Sequence, residues 1–352
     1  MNKIFKNHYS ERFHPTANTS IAMQQSSRWL SILIPAFNTQ DYIRECLDSL
    51  LVQNLDGVEI VVVNDGSLDD TGNIVAGYQQ RHSEIFRVLN HAVSQGVAVA
   101  RNLLVDSARG DYLWFVDADD TMTAGAVDGL RRVVASDAPD LVLCDYSRGR
   151  SRPGRRGTPF CGPSRVVLND PCEILSGMLE SGQLHPWSKI TSRRLWVSGP
   201  RFPAGRVFED VAVMPRLAIR AATAVHVPEQ WIFYRQRPGS ILASMNPRKC
   251  IDLSLALVDF PRDVRERGLQ LSDRAEFALW HYAARHFVGV MRHSRAWPNA
   301  AIRRQTQGEC LELFLQAIER RLDQLLFEYL RRGWMWRWMR LRHWVQVATA
   351  AA

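Results

Sequence analysis

The sequence has no patterned cysteines, no long apolar run, no internal repeat and no glycine-rich phosphate loop, and each absence removes a class of function. Its six cysteines, Cys46, Cys144, Cys161, Cys172, Cys250 and Cys310, show no CxxC or metal-type spacing. That argues against a structural zinc site and fits reduced thiols in a cytosolic compartment. No stretch approaches the ~18 consecutive apolar residues of a membrane span, and residues 1–28 are polar and lack the apolar core of a secretory signal. The expectation is a flexible leader over 1–28 and a protein that is neither exported by that route nor integral to a membrane. No repeat of fixed period is present. The first apolar strand runs into Pro35-Ala36-Phe37-Asn38. A nucleotidyltransferase would place a glycine-rich loop there, so that class is disfavoured.

Positive charge is present in excess, and it is unevenly spread. The 352 residues carry a net charge of +8. Arg148, Arg150, Arg152, Arg155, Arg156 and Arg165 share one Gly/Pro/Ser-rich segment, and Arg331, Arg332, Arg337, Arg340 and Arg342 share another near the end. Such clusters suit anionic partners, although a merely solvated basic face is an equal alternative for each. Nucleic acid is disfavoured as the partner, because no recognised binding motif accompanies the arginines and the best-formed loops are acidic.

Apolar strands alternate with helices from residue 30 onward. Leu30 to Pro35, Val58 to Val63, Phe86 to Leu89, Tyr112 to Val116 and Asp140 to Cys144 read as strands. Ile43, Leu47, Leu50 and Leu51 recur at helical spacing; further helices are expected after Asp69-Asp70-Thr71 and around Ala98 to Asn102. Short connections between such units imply a mostly parallel sheet flanked by helices. Later, Val211 to Ala221 reads as a helix opened by Phe208-Glu209-Asp210, and Val225 to Val227 and Trp231 to Tyr234 as two short strands. From about Pro247 the chain reads as helical and Arg-rich, so the expected organisation is one α/β domain over 29–246 and a helical region over 247–352.

The strand Tyr112 to Val116 ends in Asp117, Asp119 and Asp120. Three carboxylates in four residues repel one another and raise one another's pKa unless a cation or several amide donors sit among them. Mn²⁺ or Mg²⁺ is the simplest remedy, since hard ions take one or two carboxylates and complete their shell with water and phosphate. An Asx turn followed by a helix cap is the plain alternative.

Several pieces then line up in order: Ile34 to Asn38, Val63-Asn64-Asp65-Gly66-Ser67, Asn90 with Gly96 and Ala100-Arg101-Asn102, Asp117-Ala118-Asp119-Asp120, Phe208-Glu209-Asp210, and Tyr234 with Arg237 and Ser240. Together, over Ser31 to about Ser244, they resemble the family 2 glycosyltransferases, inverting enzymes of the GT-A fold that use nucleotide-activated sugars. The resemblance implies that Asp119 binds the metal and that Asp117 contacts the ribose or assists at the metal. It implies further that Asp65 meets the base, usually uracil, that Pro35, Ala36 and Asn38 line the nucleotide pocket, and that Arg101 lies near the nucleotide. Asp210 occupies the position of the base that deprotonates the acceptor hydroxyl, with Glu209 as its neighbour, and Arg237 belongs to a loop that closes over the donor. Trp187 and Lys189 resemble an acceptor-side stretch, though a buried Trp is as often plain core.

The expected activity is transfer of one sugar from a nucleotide diphosphate sugar to a hydroxyl of a glycan or lipid-linked acceptor, in cell-surface polysaccharide or lipopolysaccharide synthesis. The QxxRW pattern of processive synthases occurs only at Gln25 to Trp29, ahead of the first strand, and not after the Phe208-Glu209-Asp210 stretch. The rival is an idle nucleotide-sugar binding or scaffolding protein, disfavoured by the joint presence of Asp65, Asp119 and Asp210. Trp and Arg crowd Leu330 to Val345, where Leu330, Trp334, Trp338, Leu341 and Val345 would share a helix face. That face suits either an anionic membrane surface, placing the enzyme at the inner side of the cytoplasmic membrane, or packing on protein.

Overall fold

The computed structural model describes residues 28–151, 153–236 and 245–350. The first half alternates strand and helix: β1 (Leu30–Ala36), α1 (Ile43–Leu51), β2 (Val58–Asp65), α2 (Thr71–Arg81), β3 (Phe86–His91), α3 (Val97–Ser107), β4 (Tyr112–Phe115), β5 (Thr121–Met122), α4 (Ala126–Asp137) and β6 (Leu141–Gly149). Then come β7 (Arg155–Gly157), β8 (Val167–Leu168), α5 (Pro171–Ser181), β9 (Lys189–Ser192), α6 (Glu209–Ala218) and β10 (Ala224–Arg235). Only helices follow among the described residues: α7 (Pro247–Leu255), α8 (Phe260–Glu266), α9 (Asp273–Ser294), α10 (Ala300–Ala317), α11 (Leu322–Arg331) and α12 (Met335–Thr349). None of them is long and apolar enough to cross a membrane.

One sheet runs β3-β2-β1-β4-β9-β6-β10-β5. The pairs β3–β2, β2–β1, β1–β4 and β6–β10 are parallel, whereas β9 lies antiparallel between β4 and β6. β2 is buried along its whole length, as a central strand covered on both faces must be. One face packs α3, α5, α6 and the C-terminal helices through Leu33, Val61, Phe115 and Leu143; the other packs α1, α2 and α4 through Ile32, Ile60, Trp114 and Val142. Each such aliphatic side chain taken from water contributes about 1.5–3 kcal/mol. The parallel strands therefore deliver their carboxyl ends, and the polar residues there, to one edge of the sheet.

Beyond the short strands β5, β7, β8 and β9, which carried no expectation, the sequence-based expectations differ from the structure at three longer elements. The two strands expected around Val225 and Trp231 are one strand, β10, whose register against β6 shifts between Val227 and Ile232. The helix expected from Val211 to Ala221 is α6, which already includes Glu209 and ends at Ala218. α5 lies in a segment that carried no expected helix, although Asp170 caps Cys172 N–H, Pro171 opens the helix and Gly182 closes it in the left-handed conformation.

A candidate donor and acceptor site at the sheet edge

The turns after β1 and β2 are fastened together. Asn38 Oδ1 accepts from Leu68 N–H at 2.8 Å, Asn38 N–H donates to Ser67 Oγ at 3.1 Å, and Thr39 N–H donates to Thr71 Oγ1 at 2.8 Å. Pro35 and Ala36 end β1 beside this seam. Asp65, at the end of β2, is buried and accepts four hydrogen bonds, from His91 Nδ1 (2.6 Å), Ser94 Oγ (2.7 Å), Gln95 N–H (3.0 Å) and Gly96 N–H (2.9 Å). Burial alone would raise its pKa, but these donors outweigh it and hold the carboxyl below its usual range. With two acceptors' worth of bonds on each oxygen, Asp65 here organises the 91–96 loop.

At the end of β4, Asp117 and Asp119 are half-buried and Asp120 is fully buried. Asp120 Oδ1 accepts from Arg235 N–H at 2.8 Å, while its Oδ2 has no partner among the described residues. Burial, then Asp117 and Asp119, push its pKa well above the usual carboxylate range. Arg235 fastens the turn by donating from Nε to the Asp119 carbonyl at 3.0 Å and from Nη2 to Glu45 Oε2 at 2.6 Å. A divalent cation fits this donor set: it would relieve the repulsion that Asp120 records, held by Asp119 with Asp117 beside it. No cluster of three or more metal-binding side chains occurs among the described residues, so its other ligands would be water and phosphate oxygens.

Arg101 ties this edge to α6. Its Nη2 donates to Asp117 Oδ1 at 2.9 Å and its Nη1 to Glu209 Oε1, all three side chains being largely shielded from water. The Arg101 Nε has no partner among the described residues. The next residue, Asn102, clamps Phe202 with a reciprocal pair of bonds to its carbonyl and N–H at 2.8 and 2.9 Å. Phe208, just before Glu209, sits in the left-handed region at φ 61°, a conformation costly for a bulky residue and common at functional sites. Asp210 follows, half-buried, with Oδ1 accepting from Val211 N–H at 2.8 Å. Its pKa is raised: burial outweighs the pull of Arg101, of the Val211 N–H and of Lys189.

Trp187 and Lys189 turn inward. Trp187 is buried, stacked on His185 at 3.6 Å between ring centroids and on Tyr234 at 5.4 Å, with the Tyr146 edge at 4.7 Å. At 2% exposure it offers no open platform to a sugar. Buried Lys189 donates to the carbonyls of Gln183 and His185 at 2.8 Å each and to Ser188 Oγ at 3.0 Å. Burial lowers its pKa to about 7 against the attraction of Asp210. It is a clamp on the 183–188 loop beside Asp210. Arg237 lies outside the described residues. Sequence reasoning passed over Arg235 and the His91, Ser94, Gln95 trio; Arg235 could have been found as the last residue of a strand leading into the expected donor loop.

A Rossmann-like sheet whose carboxyl edge carries an acidic turn, joined through a buried arginine to a second acidic pair at a helix start, defines a GT-A type sugar-transfer fold. Residues 31–161 match the Glycosyl transferase family 2 model, so this part of the chain carries that family's domain, and the named relatives it resembles are glycosyltransferases. It is 28% identical over 227 residues to the glycosyltransferase GlyG of Streptococcus pneumoniae, covering 61% of this chain and 73% of that one. It is 38% identical over 168 residues to EpsH of Bacillus subtilis, a protein assigned as a glycosyltransferase, covering 47% of each. The chain thus spans about half the length of EpsH. In fold it is similar to residues 1–349 of TarS from S. aureus, solved in complex with UDP-GlcNAc, with TM-score 0.68, 21% identity and 90% of both chains covered.

Proposed function

We propose that the protein is an inverting, metal-dependent glycosyltransferase that moves one sugar from a nucleotide diphosphate sugar, UDP foremost, to a hydroxyl of a glycan or lipid-linked acceptor in the assembly of cell-surface polysaccharide or lipopolysaccharide. The observation that carries this reading is the Arg101 bridge. It joins the acidic turn, where a diphosphate would depart, to the Glu209-Asp210 pair, where a proton would be taken, in one buried network. A complex of TarS with UDP-GlcNAc supports the choice of uridine.

Bound Mn²⁺ or Mg²⁺ would neutralise charge on the departing diphosphate. The rest is the work of this chain. Asp117 and Asp119 hold that end of the donor. Asp210 accepts the acceptor's hydroxyl proton as the oxygen bonds to the anomeric carbon, and the bond to phosphate breaks on the opposite face, inverting the centre. The raised pKa of Asp210 makes it a better base than an exposed aspartate. Glu209, paired with Arg101, fixes the start of α6, and Asp65 shapes the loop on which the base would rest. Arg237 is assigned to the donor's phosphates, residues 29–246 to the catalytic domain and 247–352 to the acceptor side. Peripheral attachment at the cytoplasmic face belongs to the same reading, with Met335, Trp336 and Met339 exposed on α12.

Asp210→Asn tests the assignment. Transfer should fall by about 10²-fold or more, the usual scale of a lost general base, while calorimetric binding of UDP with Mn²⁺ stays intact. Loss of both together would make Asp210 structural.

A further inference from the structure

The helical region contains a cleft of about 260 Å³ between α9 and the α11–α12 pair, lined by His281, Arg285, Arg292, Tyr329, Arg337 and Arg340 over an apolar floor that includes Val288 and Leu341. Elsewhere in the same region Arg265, Arg274, Arg320, Arg321, Arg331 and Arg332 each pair with a glutamate. The four cleft arginines pair with no carboxylate among the described residues. Four guanidinium groups around one small cleft repel one another, and a doubly or triply charged anion would relieve that, each arginine offering a fork of donors to phosphate oxygens.

The cleft is also ordered from within. Arg337 donates to His281 Nε2 at 3.1 Å, which leaves His281 Nδ1–H to donate to Tyr329 Oη at 2.8 Å. The Arg337 guanidinium lies over the Trp334 ring at 4.1 Å. Burial, then Arg337 and Arg285, push the His281 pKa down to about 3, so this imidazole remains neutral and acts as an acceptor for Arg337. The cleft borders the proposed acceptor side. A Cβ at Gly182 would lie 2.8 Å from Arg285 Nη1, so Arg285 rests on the end of α5, where the 183–189 segment departs toward Lys189. Tyr282, one turn before His286 on α9, feels both Asp210 and Arg285. On α12, which forms one wall of the cleft, Met335, Trp336 and Met339 are exposed.

We propose that the Arg285, Arg292, Arg337 and Arg340 cleft binds the phosphate or diphosphate end of an amphiphilic, lipid-linked acceptor and so directs that acceptor's hydroxyl toward Asp210. The charge selects the phosphate, and the apolar floor of Ala284, Val288 and Leu341 selects a hydrocarbon chain over a soluble polyanion. The acceptor role rests on the function proposed above; the phosphate site does not.

The test uses the full chain in EDTA, which removes metal-assisted binding at the acidic turn. Calorimetry with farnesyl diphosphate, inorganic pyrophosphate and farnesol should show binding of the first two, farnesyl diphosphate the tighter, and none of the third. Arg285→Gln/Arg340→Gln should weaken both by about tenfold or more, with an unchanged melting temperature. Equal binding by the double variant, or no binding by the wild type, overturns the site. Binding of pyrophosphate as tight as farnesyl diphosphate overturns the amphiphile. A parallel titration with UDP and Mn²⁺ separates the two readings, since the cleft can stand where the donor site fails.

Discussion

Arg101 decides how the site behaves, because one buried cation serves two acids brought together from distant stretches of chain. Truncating it to methionine would leave Glu209 buried without its counter-charge, a loss of about 3–5 kcal/mol for a broken buried pair. A denaturation midpoint would read that loss. Arg101→Lys retains the charge but not the fork. Both Asp210 and Glu209 have pKa values raised by burial and pulled back by Arg101. Weakening that pull lets both rise, so Asp210 stays protonated to a higher pH and the acid limb of the pH–rate profile should move upward. An unmoved limb would mean that Arg101 only supports the fold. At this scale the acidic turn was legible in the sequence, since three aspartates after an apolar strand need no tertiary information. The Arg101 bridge was not, because its partner Glu209 is 108 residues away and only the packing of α3 near α6 makes them neighbours. Which of its two readings Trp187 would take was not legible for the same reason: its burial depends on His185 and Tyr234, which sequence spacing does not place.

Elements were legible where their periodicity is complete. β1, β2 and β4 are short apolar runs closed by Pro, Asn-Asp or Asp, and they appear where expected. β9 is four residues long and gains its place only by filling the gap between β4 and β6. β10 read as two strands because Pro228, Glu229 and Gln230 interrupt the apolar pattern where its register shifts. α12 shows the limit of a helical wheel. Leu341, Trp344 and Ala348 are buried, and Trp334, Trp338 and Val345 pack partly against the protein core. The apolar face expected to meet a membrane is thus mostly spent on the protein, and the exposed Met335, Trp336 and Met339 are what remains for a bilayer. Deleting the helix would strip this core, so point changes are the sounder probe. Trp336→Gln/Met339→Gln should reduce co-sedimentation with vesicles containing phosphatidylglycerol by several-fold at unchanged melting temperature. Full retention would remove α12 from any membrane contact.

Over the whole molecule, the sheet gathers the donor-side residues on one edge, while α9 and α12 bring four arginines to one cleft in the helical region. The overall class was legible because strand and helix alternate as far as β6, which ends at Gly149, with only the two-residue β5 out of step. The cationic cleft was not, since Arg285 and Arg292 on α9 meet Arg337 and Arg340 on α12 only through the docking of two helices. The central claim is that the acidic turn holds a metal-bound nucleotide diphosphate, and the most direct measurement is calorimetric binding of UDP, GDP and dTDP, with and without Mn²⁺, to the wild type and to Asp119→Ala. The account predicts Mn²⁺-dependent binding that favours UDP and weakens by at least about tenfold in the variant. Metal-independent binding, or equal binding by Asp119→Ala, would contradict it.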